Sequence, residues 1–183
     1  MSIFARLFAV ASLAVLAACA SAPSTPSTGA AGAWTFTDSS VRFGPDIDRT
    51  ASGTNYNDNF VWDGYNGGNR KRQVVGLFKA AIGDATAGLA GGQNVKMNVI
   101  VTRFHALTPG AQTWCCGEHN ILANLEVVDA DSGAVLASGE NIYLGRVALG
   151  GIPGIIASAA GRDQVVRVRE GIATGVANWL AGL

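Results

Sequence analysis

The sequence predicts a two-layer α/β (α+β) sandwich: a mixed, mostly antiparallel sheet of about four strands with two helices on one face, in the order β-α-β-β-β-α. Three observations predict it. Apolar alternation marks strands, two segments carry an apolar stripe of helical period, and Asp129-Ala130-Asp131-Ser132-Gly133 is a hairpin turn. A helix with one apolar stripe needs a sheet face to cover, and a right-handed strand–helix–strand crossover makes the first pair of strands parallel.

Trp34-Thr35-Phe36-Thr37 and Val41-Arg42-Phe43 alternate on either side of Asp38-Ser39-Ser40, which predicts a strand, with room for a bulge, over 33–43. Residues 44–59 are rich in Asp, Asn, Gly, Ser and Thr and read as a solvated loop. Its acids do not match the alternating spacing of a calcium loop. Phe60-Val61-Trp62 returns to apolar character before the chain turns through 64–68. Asn69 is a helix N-cap, and Val74, Phe78, Ala81, Ile82, Ala85 and Leu89 form one face of the helix that follows. Gly91-Gly92 stops it, with the Gly88–Gly92 run read as its cap. The basic Arg70-Lys71-Arg72 run falls in the first turn, where the helix dipole disfavours cations, and reads as a solvated start.

Val95, Met97, Val99 and Val101 point one way along the clearest strand, 95–104, and a loop over 106–118 leads to a second at 121–128. The hairpin turn returns the chain into a third, 135–144. A closing helix begins near Arg162, with Val165, Val168, Ile172, Val176, Trp179 and Leu180 on one face. Between them, residues 147–160 form an apolar segment with Ser158 as its one polar side chain. They read either as a short buried helix or packed loop, or as an exposed patch in which Ile152, Ile155 and Ile156 contact a partner or the membrane surface.

The first nineteen residues have the organisation of an export signal: a short start ending in Arg6, an apolar core from Leu7 to Leu16, then small residues. That core is too short to span a bilayer. Leu16-Ala17-Ala18-Cys19 is a lipobox, so the expected plan is a signal peptide at 1–18, a lipidated Cys19 heading a disordered tether to residue 32, and one domain over 33–183. The tether is all small, polar or Pro residues and has nothing to bury. Acyl chains on Cys19 would anchor the domain to a membrane. Ala20 stands where an Asp would favour inner-membrane retention, which points to the periplasmic side of the outer membrane, with the inner membrane as the alternative.

Thirteen Lys and Arg balance thirteen Asp and Glu, and removal of Arg6 with the signal leaves the mature chain one acid in excess. Such a balance gives no basic footprint for nucleic acid. The sequence contains no nucleophile elbow, phosphate-cradling loop or zincin motif, and no cofactor is implied.

The lipobox, Phe60-Val61-Trp62, the helix opening with Gln73-Val74, Val127-Val128-Asp129 with Gly133-Ala134-Val135, Gly150-Gly151 and Arg162-Asp163-Gln164-Val165-Val166-Arg167-Val168 together resemble a family of uncharacterised alphaproteobacterial lipoproteins, a domain of unknown function. The resemblance spans roughly residues 34–183. More distantly, the element order is similar to lipoproteins that accompany envelope transporters and secretion assemblies. The resemblance carries over no catalytic residue.

One constellation could carry chemistry: His105 and Trp114-Cys115-Cys116-Gly117-Glu118-His119. With Cys19 acylated, Cys115 and Cys116 are the remaining cysteines, and they are adjacent. Four readings stand: a vicinal disulfide, two inert thiols, a zinc or copper site built from Cys115, Cys116, His119 and His105, and a Cys–His nucleophile. His105, at a strand end, also reads as a surface or capping residue. The leading expectation is a non-enzymatic, membrane-tethered binding or assembly module for other envelope proteins. The alternative is a small-ligand or metal-binding lipoprotein using the Cys115–His119 loop.

Overall fold

The computed structural model describes residues 30–47, 59–62, 68–107 and 117–183. The signal, Cys19, the tether up to residue 29, most of the 44–59 loop, Cys115 and Cys116 lie outside the described residues.

The predicted sandwich is present, with more elements than expected. After a 3-10 turn (Ala30–Ala33) come β1 (Trp34–Phe43), β2 (Phe60–Val61), α1 (Arg70–Thr86), β3 (Gln93–His105), β4 (Gly117–Asp129), β5 (Val135–Tyr143), β6 (Arg146–Ala148), α2 (Gly151–Ala159) and α3 (Gln164–Ala181). The sheet order is β1-β3-β4-β5, with β2 extending the β1 edge along β3 and β6 extending the β5 edge along β4. The two additional strands are too short to show any alternation, so their pairing comes from tertiary context.

β1 and β3 are parallel, as the crossover rule requires, and the β1 bulge falls between Phe36 and Asp38. The β3–β4 and β4–β5 pairs are antiparallel. At the hairpin, Asp129 Oδ1 accepts from the Ser132 backbone N–H at 2.8 Å and the Ser132 hydroxyl at 2.7 Å, while Gly133 takes φ +72°. These bonds, joined by one from Gln93, hold the Asp129 carboxyl well below the usual carboxylate range. β4 begins at Gly117, four residues before the predicted start at Ile121, because its first residues pair with β6.

Asn69 caps α1, its side chain accepting from the Arg72 backbone N–H at 2.9 Å. Asp163, one residue beyond the predicted start, caps α3 in the same way through Val166. Both helices cover one face of the sheet. Val74, Phe78, Ala81 and Ile82 of α1 and Val168, Ile172, Val176 and Leu180 of α3 close over Val95, Met97, Val99, Val101, Ile121, Ala123, Leu125 and Val127 in one core. Arg169 of α3 donates twice to Asp84 of α1, at 2.6 and 2.7 Å, and ties the helices together at their solvent edge.

Two local readings change. Lys71 is not simply solvated: its ammonium lies over the Phe43 and Phe60 rings, 5.2 and 5.7 Å from their centroids, which offsets its unfavourable place in the helix dipole. The glycines after α1 do not form its cap, which is Ala87 in ordinary helical conformation. Gly91 is needed instead for close approach, since a Cβ there would lie 1.9 Å from the Ala33 carbonyl carbon.

Candidate functional site

The register separates the two ends of the sheet. At one end lie Trp34, Gln93 and Asp129, so the chain that leads to the N-terminus leaves there. At the other lie Phe43, His105, the start of β4, β6 and α2. α3 runs from this second end, where Gln164 donates to the Leu107 carbonyl, back to the first.

β6 places Arg146 opposite His119 and Val147 opposite Glu118. The β4 pleat then turns His119 to the helix-covered face, in line with Ile121 and Ala123, where the ring is fully buried. Neither ring nitrogen has a hydrogen-bond partner among the described residues. Burial, and then the charges of Arg167 and Arg146, lower the His119 pKa to about 4, so the imidazole is neutral at physiological pH. Arg167 is itself only 4% exposed; it donates to the Arg162 carbonyl, and its Nε has no partner among the described residues. Burial pulls the Arg167 pKa down. Glu170 Oε2 accepts from Arg146 at 3.1 Å and from Arg162 at 2.6 Å. On the rim, the Tyr143 hydroxyl donates to Glu118, and burial together with that carboxylate pushes its pKa up to about 12.

The two histidines leave the sheet on opposite faces. His105 pairs across strands with Asn120, the neighbour of His119, whereas the adjacent pair Phe104–Ile121 is in the core. A centre formed with Cys115 and Cys116, which lie outside the described residues, could therefore recruit His119 but not both rings from this register. Among the described residues, no group of three or more His, Cys, Asp or Glu is placed to hold a metal ion. In the sequence His119 reads as a loop residue, and no local pattern marks its burial beside Arg167.

From Val147 to Gly161 the chain carries no charged residue, and Arg146 and Arg162 bracket it. α2 is a helix, as one reading expected, but it is not buried: Ile152 is 73%, Ile155 69% and Ile156 64% exposed, and no residue of the helix is buried. Gly151, Gly154 and Ala157 are its half-covered positions, while the isoleucines share the opposite stripe. That is the reverse of a surface helix, whose bulky apolar stripe ordinarily faces the core. Gly151 at φ +55° and Gly161 at φ +75° allow the sharp exit and return of the chain. Val147, on β6, adds a further 70% exposed side chain.

Residues 53–182, which include all of this end except the tip of β1, match the model of a family of unknown function (DUF6778). The chain belongs to this family. No curated protein is matched. The chain is similar to one whose crystal structure is described as that of "a putative lipoprotein from Caulobacter crescentus CB15", at 22% identity over 58% of this chain and 83% of that one, with a TM-score of 0.37. Likeness at that level carries no argument about function. Among the described residues, no helix is long and apolar enough to cross a membrane.

Proposed function

We propose that this family member is a lipid-anchored, non-catalytic envelope protein: a binding or assembly module held to a bacterial membrane through Cys19. Its contacts are made by the end of the domain that carries β6 and α2. The observation that carries the reading is the outward stripe of Ile152, Ile155 and Ile156 on a charge-free segment, at the opposite end of the sheet from the chain's N-terminal exit. A stripe of this kind gains free energy only when something covers it. The lipobox supports the anchor, and Ala20 after it supports the periplasmic side of the outer membrane. The resemblance to alphaproteobacterial lipoproteins, and the more distant one to transporter- and secretion-associated lipoproteins, supports other envelope components as its working company.

The anchor is tested by fractionating cells that produce the full chain or its Cys19→Ser variant. The parent is expected in the membrane fraction with an acyl mass on the N-terminal cysteine, and the variant in the soluble fraction. An unmodified parent recovered in the soluble fraction overturns the reading.

A second reading, a small-ligand or metal site in the Cys115–His119 loop, is favoured by one observation. The buried His119 has two ring nitrogens without a partner among the described residues and is neutral at physiological pH, the form in which imidazole ligates metal. Zinc titration of the purified chain decides it: stoichiometric binding lost in His119→Phe supports a site, and no binding removes it.

A further inference from the structure

We propose that α2 is a bilayer-contact element, whose isoleucine stripe enters the surface of the same membrane that holds the acylated N-terminus and lays the domain along it. This rests on the lipid-anchor reading and names the partner of the same end of the domain.

The chemistry of the segment fits a lipid surface better than a protein groove. A protein interface surrounds its apolar centre with a polar rim and makes about one hydrogen bond per 100–200 Å². Between Val147 and Gly161, Ser158 is the one residue with a hydrogen-bonding side chain, and the segment carries no charge. The polar groups come only at its two mouths, where Arg146 and Arg162 are 40% and 55% exposed and share Glu170. Cations at the base of a protruding apolar segment are placed for the headgroup layer, with the isoleucines below it in the acyl boundary. The small half-covered positions Gly151, Gly154 and Ala157 turn the opposite side of the helix to the protein, so the stripe can enter without unpacking the core.

Reach selects the orientation. β3 has 13 residues, whose twelve steps of about 3.3 Å put the two ends of the sheet roughly 40 Å apart. From Cys19 to Ala30 the chain extends at most roughly 36–40 Å. A domain standing upright over its anchor holds α2 clear of the bilayer, whereas a domain lying along the surface brings both attachments to it with slack in the tether. Two attachments in place of one also raise the effective concentration of the second at the surface.

The test uses the full chain purified from membranes, with the acyl group verified by mass, in phosphatidylethanolamine–phosphatidylglycerol vesicles. Ile155→Trp adds a tryptophan at a 69% exposed position, and lipids brominated near the top of the acyl chains quench only what enters them. The expected result is quenching of Ile155→Trp well beyond that of the parent, abolished when Ile152→Asp and Ile156→Asp are added with the far-ultraviolet circular dichroism unchanged. Quenching no greater than the parent's, in a folded chain, overturns the proposal. So does sedimentation showing a dimer that the added Ile152→Asp and Ile156→Asp dissolve. If the chain carries no acyl group, the anchor reading fails on mass alone, and quenching by added vesicles still decides α2.

Discussion

Gly145 passes so close to His119 that a Cβ on it would lie 1.9 Å from the His119 carbonyl oxygen. That approach lets the chain leave β5 after Leu144, which is buried against Gly175 of α3, and start β6 directly beside β4. It places Arg146 across from His119 and sets where the apolar excursion leaves the body.

Gly145→Ala is therefore expected to destabilise the fold by about 3 kcal/mol or more, because a backbone atom and not a flexible side chain stands in the way. Gly133→Ala, strained only by its positive φ in an open turn, should cost about 1–2 kcal/mol. Urea denaturation of the two variants checks the order. Equal losses would mean that β6 can shift freely away from β4.

His119 makes stability depend on pH in a definite window. Its folded pKa, about 4, lies below the ordinary imidazole value of 6.5, so the unfolded chain takes up the proton first. Above pH 6.5 the residue contributes no pH dependence; between 6.5 and 4 stability falls, by on the order of 3 kcal/mol once both states are protonated. His119→Phe should flatten the urea midpoint across this window. A midpoint that still falls as steeply in the variant would assign the dependence to another group.

Asp129 acts lower on the scale. Its carboxyl is held below the ordinary aspartate value of 3.8, so its contribution to the β4–β5 turn is present above that value and is lost as pH falls through the folded pKa. Asp129→Asn should remove part of the stability at neutral pH and reduce the further loss below about pH 3.8. Denaturation curves at pH 7 and pH 3 on both chains measure it.

Ile155→Asp and Ile156→Asp replace side chains that are 69% and 64% exposed. Folding stability should stay within about 0.5 kcal/mol of the parent, while association through this end is lost. A large loss of stability would show that the stripe is packed in solution.

What the sequence revealed and concealed follows from the range of each interaction. Asn69 bonds three residues ahead to Arg72, and Asp129 bonds to Ser132, so cap and hairpin turn were legible as local chemistry. The β1 bulge was visible because Asp38-Ser39-Ser40 breaks the alternation, and the parallel β1–β3 pair followed from chain handedness. Gly91 reads as a cap in the sequence because the neighbour that requires it, Ala33, is distant in the chain. His119 was assigned to a loop since Gly117–Asn120 has too little alternation to announce a strand; its burial depends on β6 and on Arg167 of α3. The Ile152, Ile155 and Ile156 spacing is helical, but which way a short helix turns its stripe is decided by the body it leaves.

Function through the end bearing α2 is open to a direct check. Photo-crosslinking in intact cells tests it most directly, with the reactive side chain at Ile155 in one chain and, as the opposite-end control, at Ser132 in the β4–β5 turn in another. Specific envelope adducts, lipid foremost, are expected from position 155 and background labelling from position 132. Specific adducts from 132 with none from 155 would contradict it.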